Sequence, residues 1–240
     1  YKDIRDLLAV QSIRYESEKY GPSNYSIYMN KDYGNVKGYT FSLTKRYDPV
    51  SRTSAFVDYT YQVTEGNSVT SGSFYYNALS GEQEEKRIVP LAWDQRHILN
   101  TNVSVGDPRN WNLGIISKLS SGWPYTPNIP DANYVPQPNS GRKPWQWRVD
   151  MRLHKNFKIG KLNYLVFMKV YNLLDRRNER YVFNDTGRAG YTYVFQSTQE
   201  TQGFKSHYGE PGVHEWSEYQ VRPHYYTAPR SVNIGFSVDF

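Results

Sequence analysis

The sequence predicts an all-β protein, specifically a transmembrane antiparallel up-and-down β-barrel, and three observations carry that expectation. The first is the alternation in residues 229–240, where Val232, Ile234, Phe236, Val238 and Phe240 share one face and Ser231, Asn233, Gly235, Ser237 and Asp239 the other, the pattern of a strand with one apolar side. The second is polarity. Mean hydropathy is -0.77 and only 38% of residues are hydrophobic, and no apolar run approaches the ~18 residues a membrane helix needs. The third is the arrangement of the connections, which alternate between long (9–24, 65–90, 120–146, 175–228) and short (48–51, 106–110, 158–161). Alternation alone leaves a soluble antiparallel sandwich open beside a barrel. Tight turns at one end and long loops at the other side with the outer-membrane barrel, which has short periplasmic turns and long extracellular loops.

The elements follow in order. Residues 1–8 read as a strand that ends at a polar stretch with Glu16, Glu18, Lys19, Gly21 and Pro22, expected to be a loop. Residues 25–47 are extended, with Tyr39, Phe41 and Leu43 opposite Thr40, Ser42, Thr44 and Arg46, and Asp48-Pro49 makes a turn. A strand then places Thr53, Ala55, Val57, Tyr59, Tyr61 and Val63 on one face and breaks at Glu65-Gly66-Asn67. After a polar loop the next strand is expected from near Leu91, with Leu99, Thr101, Val103 and Val105 on one side. Its partner runs through Trp111, Leu113, Ile115 and Leu119. The loop 120–146 holds prolines at 124, 127, 130, 136, 138 and 144, and so many missing backbone donors belong outside a sheet.

Residues 147–154 set Trp147, Val149, Met151 and Leu153 against Arg148, Asp150, Arg152 and His154. That charged face would be solvent in a sandwich and a water-filled lumen in a wide barrel. Residues 162–174 run back as a strand with Tyr164, Val166, Met168 and Val170 on one side, and 175–228 is mostly irregular, with 180–183 or 191–195 as candidate additions to the sheet. Eight strands result.

Composition narrows the function classes. Aromatic residues make up 16% of the chain, led by 23 Tyr, which suits the interfacial girdles of outer-membrane barrels. Cysteine is absent, which excludes disulfides and thiolate metal sites. The net charge of +6 is spread along the chain instead of forming a block, so no nucleic-acid partner is expected. Tyr1 to Leu8 reads as the middle of a structural element, so the chain is expected to be a piece of something longer.

Several segments resemble the C-terminal part of the barrel of TonB-dependent outer-membrane receptors, in the subfamily that carries a carboxypeptidase-regulatory-like domain. They are Tyr1-Lys2-Asp3-Ile4-Arg5-Asp6-Leu7, Asn30-Lys31-Asp32-Tyr33-Gly34-Asn35-Val36-Lys37-Gly38, Asp58-Tyr59-Thr60-Tyr61-Gln62 and Trp93-Asp94-Gln95-Arg96-His97. Ser121-Gly122-Trp123-Pro124-Tyr125-Thr126-Pro127, Val170-Tyr171-Asn172-Leu173-Leu174-Asp175 with Arg176-Arg177-Asn178-Glu179, and Pro229-Arg230 complete the ordered set. Leu174 departs from the Phe or Tyr more often found there. The resemblance implies the last eight strands of a 22-stranded barrel, with plug domain and earlier strands upstream. It implies a receptor that imports a scarce nutrient (siderophore, glycan, peptide or cofactor) across the bacterial outer membrane, with the C-terminus periplasmic. Implied partners are a TonB-type energy-transducing protein acting through the plug, outer-membrane lipid, the barrel-assembly machinery and a surface lipoprotein or other complex partner. Phe236, Val238 and Phe240 would form the assembly signal. A structural or adhesive outer-membrane barrel, or a barrel subunit of a larger surface complex without transport, is the alternative, and a soluble carbohydrate-binding sandwich a third.

No catalytic residue, cofactor or metal is expected. His97 beside Asp94 and Arg96 lacks a neighbouring nucleophile, and His207, Glu210, His214, Glu215, Glu218 and His224 fit no compact metal spacing. Loop aromatics are the candidate ligand contacts: Trp123, Tyr125, Tyr134, Trp145, Trp216 and Tyr219, with Trp147, Tyr225 and Tyr226 beside them. Each could stack on a ligand, belong to an outer girdle or pack its own loop. The row Arg148, Asp150, Arg152 is expected to pair with neighbouring strands or the plug.

Overall fold

The computed structural model describes residues 1–19, 21–67, 87–128, 136–193 and 222–239. Among them the chain is strand and loop with one 3-10 turn at Pro223–Tyr225, and no helix is long and apolar enough to cross a membrane. The strands are β1 (Lys2–Ser17), β2 (Gly21–Asp48), β3 (Thr53–Gly66), β4 (Val89–Pro90), β5 (His97–Asp107), β6 (Trp111–Ser120), β7 (Pro124–Tyr125), β8 (Gly141–Arg142), β9 (Gln146–Ile159), β10 (Leu162–Tyr171) and β11 (Ser231–Asp239). The large sheet runs in the order β1-β2-β3-β5-β6-β9-β10-β11, with β4 on the end of β3 and β7 paired to β8 separately. The ladders β1–β2, β3–β4, β3–β5, β5–β6, β6–β9, β9–β10, β10–β11 and β7–β8 are antiparallel. The expected fold class is thus met as an all-β chain built on one large antiparallel sheet.

The chain divides into two compact units, 1–39 with 62–96 and 123–142, and 40–61 with 97–122 and 143–240. In the first unit the segment 9–24, expected to be a loop, is strand on both sides of a tight turn. The sixteen-residue β1 pairs with β2 from Lys2↔Val36 to Ser17↔Gly21, with register shifts around Leu7. Ile13 and Tyr25 face one another in register, and the Tyr15 and Tyr25 rings meet edge to face at 5.6 Å. The hairpin was hidden by Pro22, which reads as a strand breaker but sits opposite Glu16 at the turn end of the ladder. Gly21 takes a φ of 70°, the left-handed backbone a tight return requires.

In the second unit the ladders bring six independently alternating strands into phase. Antiparallel partners project to the same side of a sheet, and the register aligns Ala55–Val103–Ile115–Met151–Val170–Val232 in one row and Thr53–Val105–Leu113–Leu153–Met168–Ile234 in the next. Tyr59–Leu99–Leu119–Trp147 lies in line on the same face toward the long loops, and Phe157–Tyr164–Val238 toward the short turns. The opposite face carries Asp58–Asn100–Lys118–Arg148 and Ser54–Ser104–Gly114–Arg152–Lys169–Asn233. Within this unit much of the apolar face is exposed, although Val149 and Val170 on it are only 8% and 5% exposed. Ile234 and Phe236 are 73% and 78% exposed, and Val103, Ile115 and Leu153 on inner strands are exposed as well.

Two strand boundaries differ from expectation. The strand expected from Leu91 starts at His97, because 91–96 folds back: Leu91 N–H donates to Thr64 O at 3.1 Å and Asp94 N–H to Leu91 O at 2.8 Å. β10 stops at Tyr171, short of Leu173-Leu174, because Asn172 turns left-handed with φ 53°. Residues 180–183 form no strand; a single bridge joins Glu179 to Tyr226 instead. At the short turn after β2, the Asp48 carboxylate accepts from the Val50 and Ser51 N–H groups at 3.1 and 3.0 Å. Hydrogen bonding, led by the Ser51 side chain, holds its pKa below the ordinary carboxylate value.

The hairpin makes a direct prediction. Amides of residues 9–17 and 21–30 are expected to exchange with deuterium more slowly than those of 87–88, at rates comparable with β5; unprotected exchange throughout 9–17 would restore the loop.

Candidate functional surface

Within the first unit, the Trp93-Asp94-Gln95-Arg96 segment supplies a buried ion cluster. Asp94 is 0% exposed. Its Oδ1 accepts the Thr64 N–H at 2.8 Å, and its Oδ2 accepts Arg96 Nε at 2.8 Å and Arg142 Nη2. Arg142 Nη1 also donates to Asp94 O at 2.6 Å. The carboxylate is therefore a strut that fixes 91–96 to the end of β3 and to β8. Asn139, in left-handed backbone, donates its side chain to Pro90 O at 2.8 Å and ties the proline-rich segment to β4. On this support Trp123 stands 40% exposed, while Tyr125 is half-buried in the short β7–β8 ladder.

The Asn172-to-Glu179 motif builds a second node, in the second unit. Asn172 N–H donates to Asp150 Oδ1 at 2.9 Å, and its side chain reaches Arg176 O at 3.2 Å and Ala228 O at 3.1 Å. Asn178 brackets Trp147 by accepting its N–H at 2.9 Å and donating to its O at 3.0 Å. Glu179 holds Arg188 through both oxygens and accepts the Ala189 N–H at 2.6 Å. The Glu179 hydrogen bond and charge push the Arg188 pKa up. Asp175 accepts the Arg230 N–H at 2.8 Å. These short polar side chains clasp the ends of β9 and β10 to the entry of β11. Burial lowers the pKa of Lys143, whose Nζ donates to Arg180 O at 3.1 Å.

The aromatic candidates separate by neighbour. Trp145, 48% exposed, stacks on His97 at 5.5 Å, and His97 Nδ1 lies 2.9 Å from Tyr59 Oη. Trp147 donates its Nε1–H to Ser117 Oγ at 2.9 Å. Together with Tyr59 and Tyr61 these rings form an aromatic group at the long-loop end of the apolar face. Tyr225 packs against Tyr181 and Phe183 at 5.9 and 5.2 Å, so it serves the loop's own core. Tyr134, Trp216, Tyr219 and Phe240 lie outside the described residues, as do His207, Glu210, His214, Glu215 and Glu218. Phe236 and Val238 are on the apolar face of β11. Arg148 pairs with Asp150 at 2.9 Å, whereas Arg152 stands opposite Lys169 and Lys118 opposite Arg148.

Sequence reasoning missed a concavity of the second unit. A cavity of about 470 Å³ opens among Asp175, Arg177, Ala189, Gly190, Arg222 and Tyr226. Its two walls come from segments that look like featureless loop in sequence, joined by bonds spanning more than thirty positions, such as Thr227 N–H to Asn178 O at 2.9 Å.

No family model, curated protein or solved structure matches the chain.

Replacing Asp94 by Ala leaves two guanidiniums and the Thr64 N–H without their common partner. Breaking a buried ion pair from one side costs on the order of 3 kcal/mol, discounted here because Arg96 and Arg142 are about one-third exposed. The expected result is a lower unfolding temperature with faster proteolysis in 87–96 and 136–142, read by limited proteolysis and mass spectrometry.

Proposed function

We propose that the chain forms part of the wall of an outer-membrane β-barrel receptor of the TonB-dependent type, with its apolar sheet face toward lipid, its polar face toward a lumen and its long loops outside. One observation carries the membrane part of this reading: the in-register apolar face has an aliphatic middle and aromatic rims. Tyr59, Tyr61, Trp145 and Trp147 edge it toward the long loops; Trp111 and the stacked Phe157–Tyr164 pair, 5.4 Å apart, edge it toward the short turns. Between Trp147 and Phe157 lie ten residue steps of β9. At about 3.3 Å per residue and a tilt of about 40°, that is roughly 25 Å of height, the apolar band of an outer-membrane barrel. Charged side chains on this face bond toward the short turns: Lys155 donates to Asn110 Oδ1 at 2.5 Å and Lys45 to Ser51 Oγ at 3.1 Å, as snorkelling lysines do.

Closure into a 22-stranded barrel, TonB-driven import and the assembly role of Phe236, Val238 and Phe240 rest on the motif resemblance. Support from geometry is that the resembling motifs at Asp94 and Asn172 hold loops instead of building a reactive site. On this reading the aromatics Trp145 and Trp147 belong to the outer girdle, and Trp123 is the described candidate most available to a ligand. The β1–β2 hairpin favours a second reading, a structural or adhesive surface barrel. Within the first unit residues 21–39 of β2, at about 3.3 Å per residue, extend roughly 60 Å, well past a membrane band, and the hairpin displays Tyr15 on β1 and Tyr25 and Tyr28 on β2.

Parity on β11 tests the membrane reading. Ile234→Arg is expected to oppose insertion by about 2–4 kcal/mol if it lies near the midplane and to lower the level of heat-modifiable barrel in the outer-membrane fraction. Asn233→Arg, one residue away on the polar face, is expected to leave that level unchanged. Equal effects of the two substitutions would sink the assignment of faces.

A further inference from the structure

We propose that the Arg152–Lys169 pair on the polar face of β9 and β10 is a binding site for the dianionic phosphate of a soluble phosphate monoester. This goes beyond the membrane reading and rests only on the register of these strands.

Arg152 and Lys169 stand directly opposite one another, as do Lys118 and Arg148. Side chains so placed start about 5 Å apart, and like charges there destabilise a sheet. The two pairs are not equivalent. Arg148 already has an anion: its Nε donates to Asp150 Oδ1 at 2.9 Å, and the same oxygen accepts the Asn172 N–H at 2.9 Å. Among the described residues no carboxylate bonds to Arg152 or Lys169. Their row continues through Gly114 and Ser104 on one side and Asn233 on the other, none of them charged. Lys118, Arg148, Arg152 and Lys169 against Asp150 leave this part of the face with a net charge of +3.

The two cations are placed to share one ligand. Lys169 Nζ lies 5.2 Å from the Phe167 ring centroid, a contact that holds the ammonium on this face. That ring in turn lies across Gly235 of β11, where a Cβ would come within 2.5 Å of Phe167 Cζ. On the other flank Gly114 sets no side chain beside Arg152; a Cβ there would meet nothing nearer than Arg152 O at 3.9 Å. A guanidinium offers phosphate a planar fork of donors, and an ammonium adds a point charge. A phosphate monoester carries close to two negative charges at neutral pH, so one group answers both cations. A single carboxylate or a phosphodiester answers only one.

The test uses the whole chain purified in detergent at about pH 8, where methyl phosphate is a dianion. Methyl phosphate and its monoanionic control, dimethyl phosphate, are titrated separately and followed by phosphorus NMR. Methyl phosphate is expected to bind, and dimethyl phosphate to bind about tenfold more weakly. Arg152→Gln and Lys169→Gln are each expected to weaken methyl phosphate about tenfold, with the β-sheet circular dichroism unchanged. Lys158→Gln, which removes the same charge from the polar face at the short-turn end of β9, is expected to bind methyl phosphate like the parent. Absence of methyl phosphate binding, equal binding of the two esters, or an equal loss in all three variants would overturn the proposal.

Discussion

Antiparallel hydrogen bonding places paired residues on the same side of a sheet, and every larger feature of the second unit depends on that geometry. A shift of one residue in any ladder would send that strand's apolar side chains to the polar face. The observed ladders instead join Ala55, Val103, Ile115, Met151, Val170 and Val232 across six strands. In water such an exposed face forfeits burial of roughly 25 cal/mol per Å² of apolar surface, so it calls for an apolar surrounding. Lipid, in the reading proposed above, provides it without a second protein layer. The polar face carries the complementary problem, because Lys118 opposes Arg148 and Arg152 opposes Lys169, pairs that high-dielectric water tolerates and hydrocarbon does not.

What keeps the registers is concentrated at the long-loop ends. Asp94 ties a returning segment to β3 and β8 in one unit, and Asn172, Asn178 and Glu179 clasp β9, β10 and the approach to β11 in the other. Both nodes use short side chains that satisfy backbone groups at strand ends, where ladder partners run out. The aromatic rims and the cavity beside Ala189 depend on them. Trp147 owes its backbone position to Asn178, and the wall at Ala189 is fixed by Glu179.

Strand faces were legible because alternation is a local property. Trp147, Val149, Met151 and Leu153 announce their shared side with no knowledge of a partner. The 9–24 hairpin was not, because Pro22 and the polar Glu16, Glu18 and Lys19 look like loop chemistry while the stabilising partners, such as Tyr25 for Ile13, lie twelve positions away. The early stop at Tyr171 was equally hidden: Leu173 and Leu174 prolong the apolar pattern, and only the left-handed Asn172, held by Asp150, ends it. The cavity was illegible for the same reason, its walls joining residues 175–190 to 222–229 through contacts no local pattern encodes.

Lipid contact on one side of the sheet alone can be measured directly. Because the chain has no cysteine, single cysteines can be introduced along β9 and spin-labelled without background, and collision with oxygen and with a water-soluble nickel chelate measured in outer-membrane vesicles. Labels at 149, 151 and 153 are expected to favour oxygen, and labels at 148, 150 and 152 the nickel chelate, alternating with a period of two. A uniform preference along 148–153, or the opposite phase, would contradict the assignment of the apolar face to the membrane.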